Sequence, residues 1–288
     1  MITVVGTRAA RVRVAQRVSG VAPGGAGRIG LGLLVAVVVV VVVGPWLVPY
    51  DPDALDRTAV LVAPGPEHLL GTDHLGRDQL ARLLVGGRNS LLAVAAVLAL
   101  GLAVGMVVGV VSGVLGGVVD TVLMRVVDVF LALPAMVLTL ALLGVLGPGF
   151  GTMVVALTAG TWPGYARMAR SYVMTGRDRP DVLAARLAGV GWLRAAGRHL
   201  VPAAFGQLLV LVSLDVGYMV TSIAGLSFLG LGVQPPAAEW GAMLSNARLY
   251  LGQAPWLLLG PGVAIVLTVL AANLLGESLA GAHGDGDR

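Results

Sequence analysis

Twenty residues near the start of the chain, IGLGLLVAVVVVVVVGPWLV (29–48), carry no charged side chain. As a helix rising about 1.5 Å per residue, a run of this length reaches about 30 Å, the thickness of a bilayer's hydrocarbon core. The rest of the chain continues in the same manner. Hydrophobic residues make up 57% of the 288 and charged residues 12%, about half the charge of a typical soluble domain (~25%). The sequence predicts an all-α polytopic membrane protein lying in a lipid bilayer. The net charge of +4 is then to be read by membrane side, and no nucleic-acid partner is expected.

Two absences narrow the chemistry. There is no cysteine, so disulfides, thiolate chemistry and Cys-based metal sites are excluded. There is no lysine either: all nineteen basic residues are arginine. A Walker A phosphate loop needs its lysine to reach the phosphates. The chain therefore reads as no enzyme of that kind, and no cofactor is expected.

Residues 1–28 form a basic tail with Arg8, Arg11, Arg13, Arg17 and Arg28. The run that follows, 29–49, is too long for a signal-peptide core and has no A-x-A-like cleavage site, so it reads as a retained first span. Residues 50–88 form an external segment, with a short amphipathic helix expected near the interface over 78–84. The core, 89–276, carries spans at 89–112, 118–147, 152–166, 201–222 and 256–276. Pro134 kinks the second of these. A loop at 167–200 and an external segment at 223–255 join them, and 277–288 is a short tail. Six crossings place both termini in the cytoplasm. Fourteen of the arginines then lie inside. Only Arg57, Arg77, Arg82, Arg88 and Arg248 lie outside, the asymmetry that the positive-inside rule requires.

The loop is the most informative segment. Seven arginines fall between Arg167 and Arg198, opposed by Asp178 and Asp181. Its centre reads RPDVLAARLAGVGWLRAAGRHLVP (179–202). Pro180 suits a first helical position and Asp181 suits the N-terminal dipole. Leu183 and Leu187 lie on one face, and Gly189 and Gly191 end the helix. A compact helix between two tethers can move as a rigid knob. Charge alone is better met by a solvated cationic loop, which many membrane proteins have.

The stretch AARLAGVGWLRAAGRHLVP resembles the cytoplasmic "EAA" loop of ABC-importer permeases. Ala184, Ala185, Gly189 and Pro202 match, and Arg186, Arg194, Arg198 and His199 resemble the peptide-importer version. HLLGTDHLGRDQLARLLVGGRNSL (68–91) resembles the segment after the first helix of dipeptide, oligopeptide and nickel permeases. LSFLGLGVQPPAAEWGAML (226–244) and APWLLLGPGVAIVLTVLAANLLGESL (254–279) resemble their C-terminal third. The resemblance covers roughly 29–279 in the same order and implies the six-helix fold of type I ABC importers. It implies a second homologous permease subunit, two ATP-binding cassette subunits and an extracytoplasmic solute-binding protein, in the plasma or inner membrane. It further implies that the loop helix, through Asp181, Leu183, Ala184, Ala185, Arg186, Gly189, Arg194 and Arg198, couples to an ATPase subunit. The cargo would be a peptide, nickel or a metal chelate. The sequence departs from the family at Leu183 and Ile223, where related permeases carry glutamate.

Three other features stand out. Asp215 lies about 21 Å along a helix from Val201, and an acid at membrane depth is a functional candidate. It points to the translocation pathway or to an interhelical hydrogen bond. His68, Asp73 and His74 raise a metal site, but their spacing fits no ligand motif. Ion pairs Asp73–Arg77 and Asp78–Arg82 at four-residue spacing are the other reading. Gly101, Gly105 and Gly109 form a small-residue stripe, facing either a partner permease or a neighbouring helix of the same chain. Outside the resemblance, the alternative function is a stand-alone secondary transporter or channel, which would need its own coupling acids.

Overall fold

The computed structural model describes residues 25–284. Most of the basic tail, with Arg8, Arg11, Arg13 and Arg17, and the chain end with Arg288 lie outside the described residues. Helices account for the architecture; the one β-type pairing among the described residues is an isolated bridge between Thr72 and Asp78.

The first helix, α1 (Gly25–Val43), carries Arg28 in its first turn, is apolar from Ile29 onward and leaves most of its surface uncovered, as a lipid-facing helix does. It ends at a 3-10 turn, Gly44–Trp46. The expected interfacial helix at 78–84 is no separate element. Asp78 caps α2 (Gln79–Leu115), its carboxylate accepting the Ala81 N–H at 2.7 Å, and the helix then runs unbroken for 37 residues. No proline interrupts LARLLVGGRNSLLAV, and its weak helix formers Gly86 and Gly87 lie where the helix packs closely on Trp240, Val41 and Met243.

At Gly116 and Gly117 both φ angles are positive (66° and 55°), conformations that glycine adopts without strain. The chain reverses there into α3 (Gly117–Leu131). Pro134 separates α3 from α4 (Ala135–Leu146), and the two helices meet at 84°. This is a break rather than the modest kink expected. Proline lacks the N–H that would continue the ladder.

Helix α5 (Phe150–Thr175) packs along α2. The glycine stripe makes this contact. A Cβ at Gly105 would lie 2.5 Å from the Tyr165 Cβ, and one at Gly109 2.3 Å from the Ala166 carbonyl oxygen. The stripe thus serves packing within the chain. After α5 come a 3-10 turn (Gly176–Asp178) and the eight-residue α6 (Pro180–Leu187). A continuous stretch, α7 (Trp192–Phe228), follows and includes a π-helical turn at Ala196–Leu200. The short α8 (Trp240–Ala247) and the long α9 (Trp256–Gly284) complete the described residues.

Among the described residues, four helices are long and apolar enough to cross a membrane: Gly25–Trp46, α2, α7 and Trp256–Leu279. The bent pair α3–α4 makes a fifth if it counts as one span. The expected crossing at 152–166 falls within α5, which carries Arg167, Arg170 and several threonines and is not among the four. The main core joins α2, α4, α5 and α7 through Val94, Val97, Leu143, Met153, Leu157 and Ile223.

Candidate functional site

The loop helix α6 stands at the end of the bundle where α2 turns into α3. Arg179 is extended (φ −65°, ψ 141°) and hands the chain to Pro180 at the first helical position. The helix ends by a Schellman arrangement: Gly189 (φ 84°) donates its N–H to the Arg186 carbonyl and Val190 donates to the Ala185 carbonyl, both at 3.0 Å. A left-handed residue at that position is what the motif requires.

One residue fixes α6 to the bundle. Val182 is fully buried in a cluster with Val173, Ala196 and Leu200, against which Val110, Val114 and Trp192 pack. The opposite face is bare: Leu183 is 40% exposed and Leu187 90%. Ala184, Arg186, Arg194 and Arg198 are exposed with them, and Ala185 is half-buried. Leu183, where the resemblance leads one to expect an acid, therefore lies on the exposed face. It does not leave a hole in the packing.

Polar contacts lock the tethers. Trp192 donates its indole N–H to the Val114 carbonyl at 2.8 Å, and the Arg177 and Arg186 guanidinium groups lie 5.4 and 5.8 Å from its ring centre. Arg177 also donates to the Gly113 carbonyl. Arg179 bonds the Tyr172 hydroxyl at 2.8 Å and both Asp181 oxygens at 3.2 and 3.3 Å. His199 approaches Asp181 at 3.7 Å. Partial burial pushes the Asp181 carboxyl up, but its bonds to Arg179 and the helix N-terminus outweigh this and hold it below the usual range. Beside the loop, Arg170 grips Asp120 with two bonds at 2.5 and 2.6 Å, and Asp120 also accepts from Ser112. Arg167 pairs with Asp128 at 2.7 Å. Five of the loop's arginines thus have internal roles, while Arg194 and Arg198 stay exposed. Trp192 was not singled out from the sequence, and neither was the pairing of Asp120 with Arg170. A tryptophan directly after the helix-breaking Gly191, amid arginines, was the available signal.

Asp215 accepts a hydrogen bond from the Tyr165 hydroxyl at 2.6 Å, joining α7 to α5. It is half-buried. Ile223 is 1% exposed in the core. It shares a wall with Ser90, Glu239 and Trp240.

At the other end of the bundle one of the two expected i,i+4 pairs forms, Asp73 with Arg77, and the other, Asp78 with Arg82, does not. Asp73 accepts from Arg77 at 2.7 Å, but across a turn. Arg82 bonds Asp53 at 2.8 Å and lies 3.7 Å from Asp73. Asp78 is occupied with capping α2 and with His68 at 2.9 Å. The helix starts only at Gln79, so Asp78 cannot serve Arg82 as a mid-helix partner. His74 stacks on Tyr250 at 5.2 Å. Glu239, fully buried, caps α8 through Ala242 and accepts from Ser90 at 2.7 Å.

Long apolar helices closed at one end by a polar-tethered helical knob define a multi-pass membrane protein. The family described as binding-protein-dependent transport system inner membrane component matches residues 105–284, and the N-terminal TM domain of oligopeptide transport permease C matches residues 26–64. The nickel transport system permease protein NikC of Escherichia coli (strain K12) is 43% identical over 252 residues, covering 88% of this chain and 91% of that protein. The dipeptide transport system permease protein DppC of the same strain is 44% identical over 257 residues, covering 87% and 86%. The di/tripeptide transport system permease protein DppC of Pseudomonas aeruginosa (strain UCBPP-PA14) is 39% identical over 256 residues, covering 87% and 84%. The chain belongs to this family: it is a permease subunit of an ABC importer in the peptide and nickel branch, a transport subunit rather than an enzyme.

Proposed function

We propose that this chain forms half of the translocation pathway for a peptide, nickel or a metal chelate, and that α6 receives the motion of a partner ATPase. The observation that carries this reading is the two-sided build of α6. One buried anchor, Val182, holds it, while Leu183, Leu187, Arg194 and Arg198 face outward. An exposed leucine pair rimmed by arginines suits docking into an apolar groove with an acidic border. Ala184 and Ala185 keep the helix slim, Asp181 and Arg186 sit at its two ends, and Gly189 stops it.

In this reading α5 is a sixth crossing, both termini are cytoplasmic, and the loop 167–200 lies on the cytoplasmic side. A second permease subunit completes the pathway, two ATP-binding cassette subunits drive it, and an external solute-binding protein delivers the cargo. Asp215 lies beside the pathway, oriented by Tyr165. The relatives' names support peptide or nickel as cargo. The test is ATP-driven uptake by the reconstituted complex of nickel or a dipeptide, supplied on its binding protein. Uptake of one of them, abolished by deleting residues 181–191, is the expected result. Undiminished uptake after the deletion contradicts the coupling role.

A further inference from the structure

Most faces that this chain exposes along its long helices are aliphatic. On α2 the uncovered residues include Leu100, Val104, Val107 and Val111. The outer part of α7 differs. At about 100° per residue, Gln207, Leu214, Tyr218, Thr221 and Gly225 fall within about 60° of arc, and all five are exposed. Tyr218 is 53% exposed. The opposite side of the same helix, at Val220, Ile223 and Ser227, is packed into the bundle.

Two further groups border this stripe at one level. Asp215, held by Tyr165, lies about 80° to one side of the stripe's centre. Asn273 of α9 lies on the other side: its side-chain oxygen would be 2.6 Å from a Cβ placed on Gly217, so it packs directly beside the stripe. Asn273 is itself exposed. Amide, phenol, hydroxyl and carboxylate thus converge from two helices, and α7 carries no arginine or histidine between Val201 and Phe228. Thr221 bonds the Gly217 carbonyl within its own helix and Asp215 accepts from Tyr165, but the exposed Gln207 amide and Tyr218 phenol would be costly to leave in hydrocarbon. Closely packed helix seams in membranes are enriched in small residues, whereas Gln207, Leu214 and Tyr218 are large.

We infer that the Gln207–Tyr218–Thr221 face of α7, flanked by Asp215 and Asn273, is the surface that touches the hydrated cargo. It offers hydrogen-bonding groups and, at its margin, the Asp215 carboxyl oxygens, and so favours a solute rich in hydrogen-bond donors, such as a peptide ammonium group or a hydrated metal cation. The inference rests on the permease reading and gives it a surface. Tyr218 and Thr221 become contact residues, with Asp215 at their margin.

The natural lack of cysteine makes the test direct. Tyr218→Cys and Thr221→Cys are placed in the full importer complex in membrane vesicles, with Val107→Cys on the aliphatic face of α2 as control. A charged methanethiosulfonate reagent is expected to label both α7 cysteines and to abolish uptake, with cargo slowing the reaction, and to leave Val107→Cys unlabelled. If Tyr218→Cys does not assemble, the near-isosteric Thr221→Cys carries the test alone. Uptake by the variants with no labelling above the Val107→Cys control overturns the inference, as does cross-linking to the partner permease without labelling. Failure of the unsubstituted complex to take up any cargo instead overturns the permease reading.

Discussion

The Trp192 indole N–H bonds the Val114 carbonyl at 2.8 Å. This ties the base of α7 to the last turns of α2, 78 residues earlier, and fixes the site from which α6 is tethered. Tryptophan suits the position because its ring also receives Arg177 and Arg186. The Trp192→Phe variant keeps an aromatic face and loses the bond, worth about 1 kcal/mol. The expected outcome is an assembled complex whose ATP hydrolysis responds less to loaded binding protein, measured as the stimulation ratio. An unchanged ratio would remove Trp192 from the coupling path.

Gly189 occupies a left-handed conformation (φ 84°), and a Cβ added there would meet no heavy atom within 4 Å. Space is therefore available and only backbone strain opposes substitution. Gly189→Ala should cost about 1–2 kcal/mol at the end of α6. Gly189→Asn should cost less, since asparagine visits this region more readily. Uptake rates should fall in the order glycine, asparagine, alanine.

Much of this loop was legible in the sequence because its signals are local. Pro180, Asp181 and Gly189 each act on their own backbone, and the helix they bound is the one found. The pairings that needed distant partners were not legible. Asp78–Arg82 had good spacing, but Asp78 is the cap of α2, and Arg82 reaches Asp53 and Asp73 instead. Asp215 stood out as an intramembrane acid, whereas Tyr165, 50 residues away, had no reason to be named beside it. The break at Pro134 was visible as a proline, but its 84° angle depends on how α4 packs against α5.

Asp120 and Arg170 form a two-bond pair whose side chains are 15% and 29% exposed. Arg170→Ala leaves a largely buried carboxylate with Ser112 as its remaining partner, a loss of about 1–3 kcal/mol. The purified complex should unfold at a lower temperature. The double variant Asp120→Ala, Arg170→Ala should recover part of that loss, because no charge is then stranded. A double variant less stable than the single would contradict this account.

His74 packs on Tyr250 among Asp73, Arg77 and Arg82. Burial pushes its pKa below the ordinary 6.5; Asp73 opposes this, while Arg77 and Arg82 add to it. The folded state thus binds a proton less readily than the unfolded chain, and stability rises with pH wherever the unfolded state holds more protons. The contribution is present above pH 6.5 and is lost as pH falls from there toward the lower folded value. The melting temperature of the wild type should drop through that window more steeply than that of His74→Gln. Parallel curves would contradict the prediction.

Leu187 gives the most direct test of the coupling role, because it is 90% exposed and holds nothing in place within the chain. Leu187→Glu should leave the subunit's own stability within about 0.5 kcal/mol, as surface substitutions do, while setting a charge where an apolar contact with the ATPase is expected. The measurement is ATP-driven uptake by the reconstituted complex, alongside the melting temperature of the isolated subunit. Uptake lost with the melting temperature unchanged is the predicted result. Uptake at the wild-type rate would contradict α6 as the site where the ATPase acts.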